Sequence, residues 1–162
     1  MNIKRLGSII VMLMLLVFPA SASMVCFLVV ETGINDEVAS TQYSSLWEDG
    51  LMSVFFDAGH IVTNHPVERM EKKPAQDLSD GIANSFYDAL DGGADYFIVC
   101  YLECRDQGGM AVPFDIIIRL YGTSTEELIF ERNFPAGKVN LGEEYQFAQN
   151  AGQLLISSIK DR

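Results

Sequence analysis

Three side chains in this sequence have the types and the spacing to do chemistry together. Glu31, His65 and Glu103 each stand at the end of an apolar run of strand length, at 24–30, 60–63 and 96–102. Open α/β sheets gather ligands outside the carboxyl ends of their parallel strands, where strand order reverses. If the three runs are parallel strands in the spatial order second, first, third, these residues share one edge. Two carboxylates and an imidazole there could hold a divalent cation or act as an acid and a base. That would be the site of a small metal-dependent hydrolase. The competing reading is that polar residues end strands because the chain turns into water there. No His-x-x-x-His, paired Cys-x-x-Cys or acidic calcium-loop spacing supports a metal. The sequence therefore assigns no catalytic residue, no metal and no cofactor, and leaves Glu31, His65 and Glu103 as candidate ligand-binding residues.

The other reactive groups read as structure. Cys100 and Cys104 in one extended strand have Cα atoms about 13 Å apart, beyond the roughly 7 Å that a disulfide spans. Cys26 could reach Cys100 only across neighbouring strands, which is often a strained bridge, so buried thiols packing as small apolar groups are expected. Cys104 lies beside Glu103 and Asp106, whose charges suppress a thiolate. His60 reads as a packed turn residue, and Tyr43 and Trp47 as core. Gly33 and Gly50 make no phosphate loop, because Glu31-Thr32-Gly33-Ile34-Asn35 lacks a second glycine and carries an acid where phosphate would sit.

The elements that position these groups follow from periodicity. The stretch 96–102 is apolar at every position and bounded by Gly92-Gly93 and Gly108-Gly109, which suits a central strand covered on both faces. The run 24–30 reads the same way. From about Glu37 to Ala58, Tyr43, Leu46, Trp47, Leu51, Val54 and Phe55 recur at helical spacing, with Asn35 or Asp36 as cap and Gly59 as stop. His60 to Thr63 is a short strand. Residues 66–76 carry two prolines and no periodicity, and read as an exposed connection. Ile82, Phe86 and Leu90 mark a helix over about 78–90, with Asp77 or Ser79 as cap. Phe114, Ile116, Ile118 and Leu120 alternate with their neighbours, as do Leu128 and Phe130 in 126–133, which predicts an antiparallel hairpin. Asn140 and Glu143 have capping-box spacing ahead of a terminal helix whose apolar face is Phe147, Ala151, Leu154, Leu155 and Ile159. There are no internal repeats.

The first residues give an address. Lys4 and Arg5 precede an uncharged run from Ile9 to Phe18, then Pro19 and Ala20-Ser21-Ala22, the small-x-small form a signal peptidase accepts. The expected organisation is a signal peptide over 1–22 and one α/β domain over 23–162, a periplasmic or secreted protein. An uncleaved anchor or lipidation at Cys26 would instead tie it to the membrane, although Val25 is not the small residue that lipidation signals place before the cysteine. Loss of Lys4 and Arg5 takes the net charge from −11 to −13. Such a surface repels phosphate backbones and anionic headgroups, which excludes nucleic acid as a natural partner and favours a basic one.

The order is β-α-β-α-β-β-β-α. Strands joined through helices are parallel with right-handed crossovers, so the expectation is a three-layer α/β sandwich on a mixed five-stranded sheet, its first three strands parallel. This succession behind an export signal, with the helix-glycine-strand run Phe55-Phe56-Asp57-Ala58-Gly59-His60-Ile61-Val62, resembles the amino-terminal domain of TolB. It also resembles the periplasmic lipoproteins that activate penicillin-binding proteins or build curli secretion pores. The resemblance implies an envelope protein that works by contact. The expected function is thus a non-enzymatic binding or assembly domain whose partner is a protein or envelope component. Its expected contact is the loop from Arg105 to Val112, where Gly108 and Gly109 supply flexibility and Arg105 and Met110 supply adaptable surface.

Overall fold

The computed structural model describes residues 22–35, 39, 42–71, 78, 82–134 and 141–160. Strands β1 (Met24–Thr32) and β4 (Tyr96–Asp106) run parallel through the middle of the sheet. They are apolar on successive residues because both of their faces are covered. On one side of β1 lies β2 (Ile61–Asn64), also parallel. On the far side of β4, β5 (Ala111–Gly122) and β6 (Glu127–Phe134) continue antiparallel. The spatial order β2-β1-β4 is the one a shared strand-end site requires.

Among the described residues the sheet has six strands rather than five. The segment read as an exposed connection contains β3 (Glu68–Met70), which pairs with Val30–Thr32 of β1. The reason is an accounting of backbone groups. β1 is nine residues long and β2 only four, so the outer edge of β1 would otherwise keep unpaired N–H and C=O groups in a buried place. Pro66 cannot donate to the ladder and ends β2. The chain steps past it and pairs again.

Side-chain alternation divides the core into two layers. Val25, Phe27 and Val29 of β1 and Ile98, Cys100 and Leu102 of β4 face α1 (Gln42–Asp57) and α3 (Leu141–Lys160). Cys26, Leu28, Val30, Phe97, Val99 and Tyr101 face α2 (Ala83–Asp91). The result is the helix-sheet-helix sandwich that the element order implies. Cys26 therefore lies on the opposite face from Cys100 and Cys104. All three are buried free thiols, and Cys26 is 4% exposed within β1.

The helices differ in detail from the periodic reading. α1 begins at Gln42, too late for Asn35 to cap it. α2 begins at Ala83, and Ile82 before it makes no side-chain cap bond. On α3 the buried face is Ala148, Ala151, Leu155, Ile156 and Ile159, and Leu154 falls outside that arc at 40% exposure. The signal peptide expected over 1–22, apart from Ala22, lies outside the described residues, as do Asp36, Asp77, Ser79 and Asn140. No described helix is long and apolar enough to cross a membrane.

α1 and α3 pack unusually close. A Cβ on Gly50 would lie 2.6 Å from that of Ala148, and one on Gly152 would lie 3.3 Å from that of Val54. Gly50 is thus a packing residue that lets two helices approach.

Candidate functional site

Glu31 ends β1 on the face that α1 covers, and it is 1% exposed. Two elements meet it there. Ser44, in the first turn of α1, donates its hydroxyl to Oε1 at 2.5 Å, and Arg69 of β3 places Nε 2.9 Å from Oε2. Arg69 is the register partner of Glu31 across the ladder, the arrangement in which opposite charges on neighbouring strands meet. Its Nη1 donates onward to the Asn35 carbonyl at 3.3 Å. Beside them, burial and then the Glu31 charge push the Cys104 thiol up to about 12, against the opposing pull of Arg69. That thiol is a poor nucleophile at neutral pH. The cluster ties β1, α1 and β3 together. Ser44 and Arg69 are missed by sequence reasoning. The one signal for Arg69 was the short run Val67 to Met70 inside an otherwise charged segment.

His65 and Glu103 do not join Glu31. The His65 N–H donates to the Phe27 carbonyl at 2.8 Å, which fixes it level with the middle of β1. Its ring stands edge-on to Phe97, 6.4 Å between centroids, on the α2 face. Leu102 and Cys104 both belong to the layer under α1 and α3, so Glu103 between them points to the α2 face. Glu31 is on the other side of the sheet. Among the described residues no group of three His, Cys, Asp or Glu side chains stands close enough to hold a metal ion. His65, Cys26 and Asp88 line a crevice of about 190 Å³ between β2 and α2, where burial raises the Cys26 pKa despite the opposing bond with Thr63.

A larger hollow of about 380 Å³ lies at the amino end of β4, bounded by Asp95, Tyr96 and 122–125. Several of its polar groups have structural partners. Thr123 donates its hydroxyl to the Ala94 carbonyl, and Asp95 accepts the Met24 N–H at 2.8 Å.

The β4-β5 hairpin is different in kind. Gly108 and Gly109 turn the chain with φ of +67° and +84°, a backbone that side chains disfavour. The Gly109 N–H donates to Asp106 Oδ1 at 2.7 Å, and Ala39 exchanges backbone bonds with Gly109 and Ala111 at 2.9 and 3.0 Å. The tip is therefore a braced structure. On it Met110 is 53% exposed. The register passes from Glu103↔Asp115 to Cys104↔Pro113, which leaves Phe114 as the extra residue of a bulge. Bulges re-aim side chains, and they accommodate a proline in a ladder. Phe114, which simple alternation placed inward with Ile116, is instead turned out, 36% exposed, with the Arg105 guanidinium 4.0 Å over its ring. Arg105 thus stacks on Phe114 on the arm of the hairpin whose tip carries exposed Met110, and Glu103, Asp106 and Asp115 belong to the same two strands.

Inside the molecule, the Trp47 indole donates to Glu144 Oε2 at 2.8 Å. Phe147 and Phe134 pack around the indole at 5.7 and 6.4 Å. Burial pushes the Glu144 carboxyl above its ordinary range, and the indole bond offsets part of that. Trp47 is core, as its spacing implied.

Among the described residues, an open mixed sheet carries one helix on one face, two on the other and a projecting hairpin. The chain is similar to TolB from Acinetobacter baumannii, at 11% identity and a TM-score of 0.48, covering 87% of this chain and 29% of that one. It is similar to a PelC dodecamer subunit from Paraburkholderia phytofirmans, at 12% identity and 0.46, covering 84% and 88%. It is also similar to the LpoB C-terminal domain from Escherichia coli, at 14% identity and 0.40, covering 76% and 90%. The chain spans less than a third of the TolB length. By sequence, no curated protein matches. The chain belongs to the family described as Uncharacterised protein, whose model matches residues 24–118, from β1 into β5.

Proposed function

We propose that this is an exported, non-enzymatic binding or assembly domain of the cell envelope that engages a protein partner through the tip of the β4-β5 hairpin. The observation that carries the reading is the bulge that turns Phe114 out beneath Arg105 on the hairpin whose tip exposes Met110. Exposed aromatic, Arg and Met side chains are the types enriched at interfaces. The acids Glu103, Asp106 and Asp115 on the two strands of the hairpin favour a partner with basic residues at its rim. The leader-like first residues support export, and its removal frees an acidic chain.

The chemistry-bearing residues support the same reading. Glu31 is held by Ser44 and Arg69 in a buried strut, and it points away from the face of His65 and Glu103. A hydrolase would need those groups together. A photo-crosslinking residue at position 110, introduced in the host, tests the proposal. It should give a discrete adduct with one envelope protein, and the same residue at exposed Tyr87 should not. No adduct at 110, or equal adducts at both, would remove the hairpin from the function.

A further inference from the structure

We infer that β2 is a self-association edge, along which a second copy of this chain pairs to continue the sheet. β2 is the last strand of the sheet path. At its two ends the inward bonds come from Ile61 and, just past the strand, His65, whose N–H groups donate to the Ser23 and Phe27 carbonyls at 3.0 and 2.8 Å. By strand alternation the backbone groups of Val62 and Asn64 point outward, where no described strand pairs with them.

Apolar side chains flank this edge on both sides. Phe56 and Ile61, at 67% and 55%, exceed the other large apolar side chains among the described residues in exposure. Phe56 shares a rim of α1 with Glu48 and Met52, spaced four apart, and Asn64 Nδ2 donates to Glu48 Oε1 at 2.9 Å, so the rim overhangs β2. Ile61 pairs with Met24 and lies toward the opposite face.

Charge selects the occupant. Residues 58–67 contain no Asp, Glu, Lys or Arg in a chain of net charge −11. Two such chains repel each other over most of their surface, and this neutral strip is where they approach with least cost. A strip with no charge of its own offers no complementary pattern to a foreign partner, but it matches itself. Two-fold pairing sets the same residues against each other, antiparallel, with the Phe56 and Ile61 of each copy closing over the new ladder. Pro66 limits the paired length, so the association is weak and deepens as salt screens the remaining charge.

Sedimentation equilibrium of the protein purified from cells tests this. A monomer-dimer equilibrium is expected that tightens in about 1 M salt, where the screening length falls to about 3 Å. The Phe56→Ser, Ile61→Lys double variant should raise the dissociation constant at least about tenfold, equivalent to about 1.4 kcal/mol. Both sites are exposed, so thermal stability should hold, and Ile61→Lys alone serves if the double variant does not fold. A monomer at every concentration in high salt, or a variant that dimerises like the parent, would overturn the inference.

Discussion

Two regions at the same end of the sheet use their residues in opposite ways. Where β1 ends, Glu31, Ser44 and Arg69 turn inward and bond one another. A few residues away, the β4-β5 tip turns Phe114 and Met110 outward and braces them with backbone bonds to Ala39. The first region holds groups that could do chemistry and commits them to structure. The second holds groups that do no chemistry and presents them. Function is therefore sought at the tip, and stability at the strand end.

If that division is right, the largest stability loss comes from the strand end. Glu31→Ala leaves Arg69 and the Ser44 hydroxyl without their carboxylate, and breaking such a pair costs about 3 kcal/mol at a largely buried site. Urea denaturation measures it. A loss under about 1 kcal/mol would mean that the cluster is not a strut, and would reopen the end of β1 as a site.

Gly50→Ala probes the interior on which both regions stand. The added Cβ meets that of Ala148 at 2.6 Å and the Tyr145 carbonyl oxygen at 2.8 Å. Overpacking costs about 1–3 kcal/mol, and the gain in helix propensity returns about 1. A net loss of about 1 kcal/mol is expected in thermal or urea unfolding.

Glu144 sharpens the comparison through pH. Its native pKa is raised, first by burial, so between the ordinary value of 4.5 and the raised one the native state binds more protons than the unfolded state. Stability from this group is full below the unfolded pKa and is lost as pH rises through the folded one. Glu144→Gln keeps a carbonyl for the Trp47 indole and cannot titrate. Unfolding measured from pH 4 to 8, in steps of about half a unit, should show the parent's downward slope in that window flattened in the variant. An unchanged slope would assign it to another group.

Much of this arrangement is legible in the sequence, and what is not has a common physical cause. Continuous apolar runs announced β1 and β4 because both faces are buried, and the spacing of Trp47, Leu51, Val54 and Phe55 announced α1. β3 was hidden because three residues beside Pro66 have no period of their own. They are a strand only because β1 outlasts β2. Phe114 was misplaced because a bulge breaks alternation without changing composition. The separation of Glu31 from Glu103 depends on register: Thr32, not Glu31, pairs with Glu103, and a shift of one residue reverses the face. Spacing within a run cannot report how two runs are offset.

The smallest effect on stability belongs to the tip, and it is the one that separates the two regions most clearly. Met110 is 53% exposed and is placed by its backbone, whose carbonyl accepts the Gln107 N–H at 2.9 Å. Met110→Ser removes side-chain surface that already meets water and leaves that bond intact. Its change in unfolding free energy should stay within about 0.5 kcal/mol, as for surface positions generally. If the tip is the contact, the same variant weakens capture of the partner identified by crosslinking, because thioether area lost at the centre of an interface is lost from the complex alone. Glu31→Ala should do the reverse. At temperatures where it remains folded it should retain the partner while losing stability. A variant pair in which both properties fall together would show that the tip is held in place by the strand end, and that the two regions are a single unit.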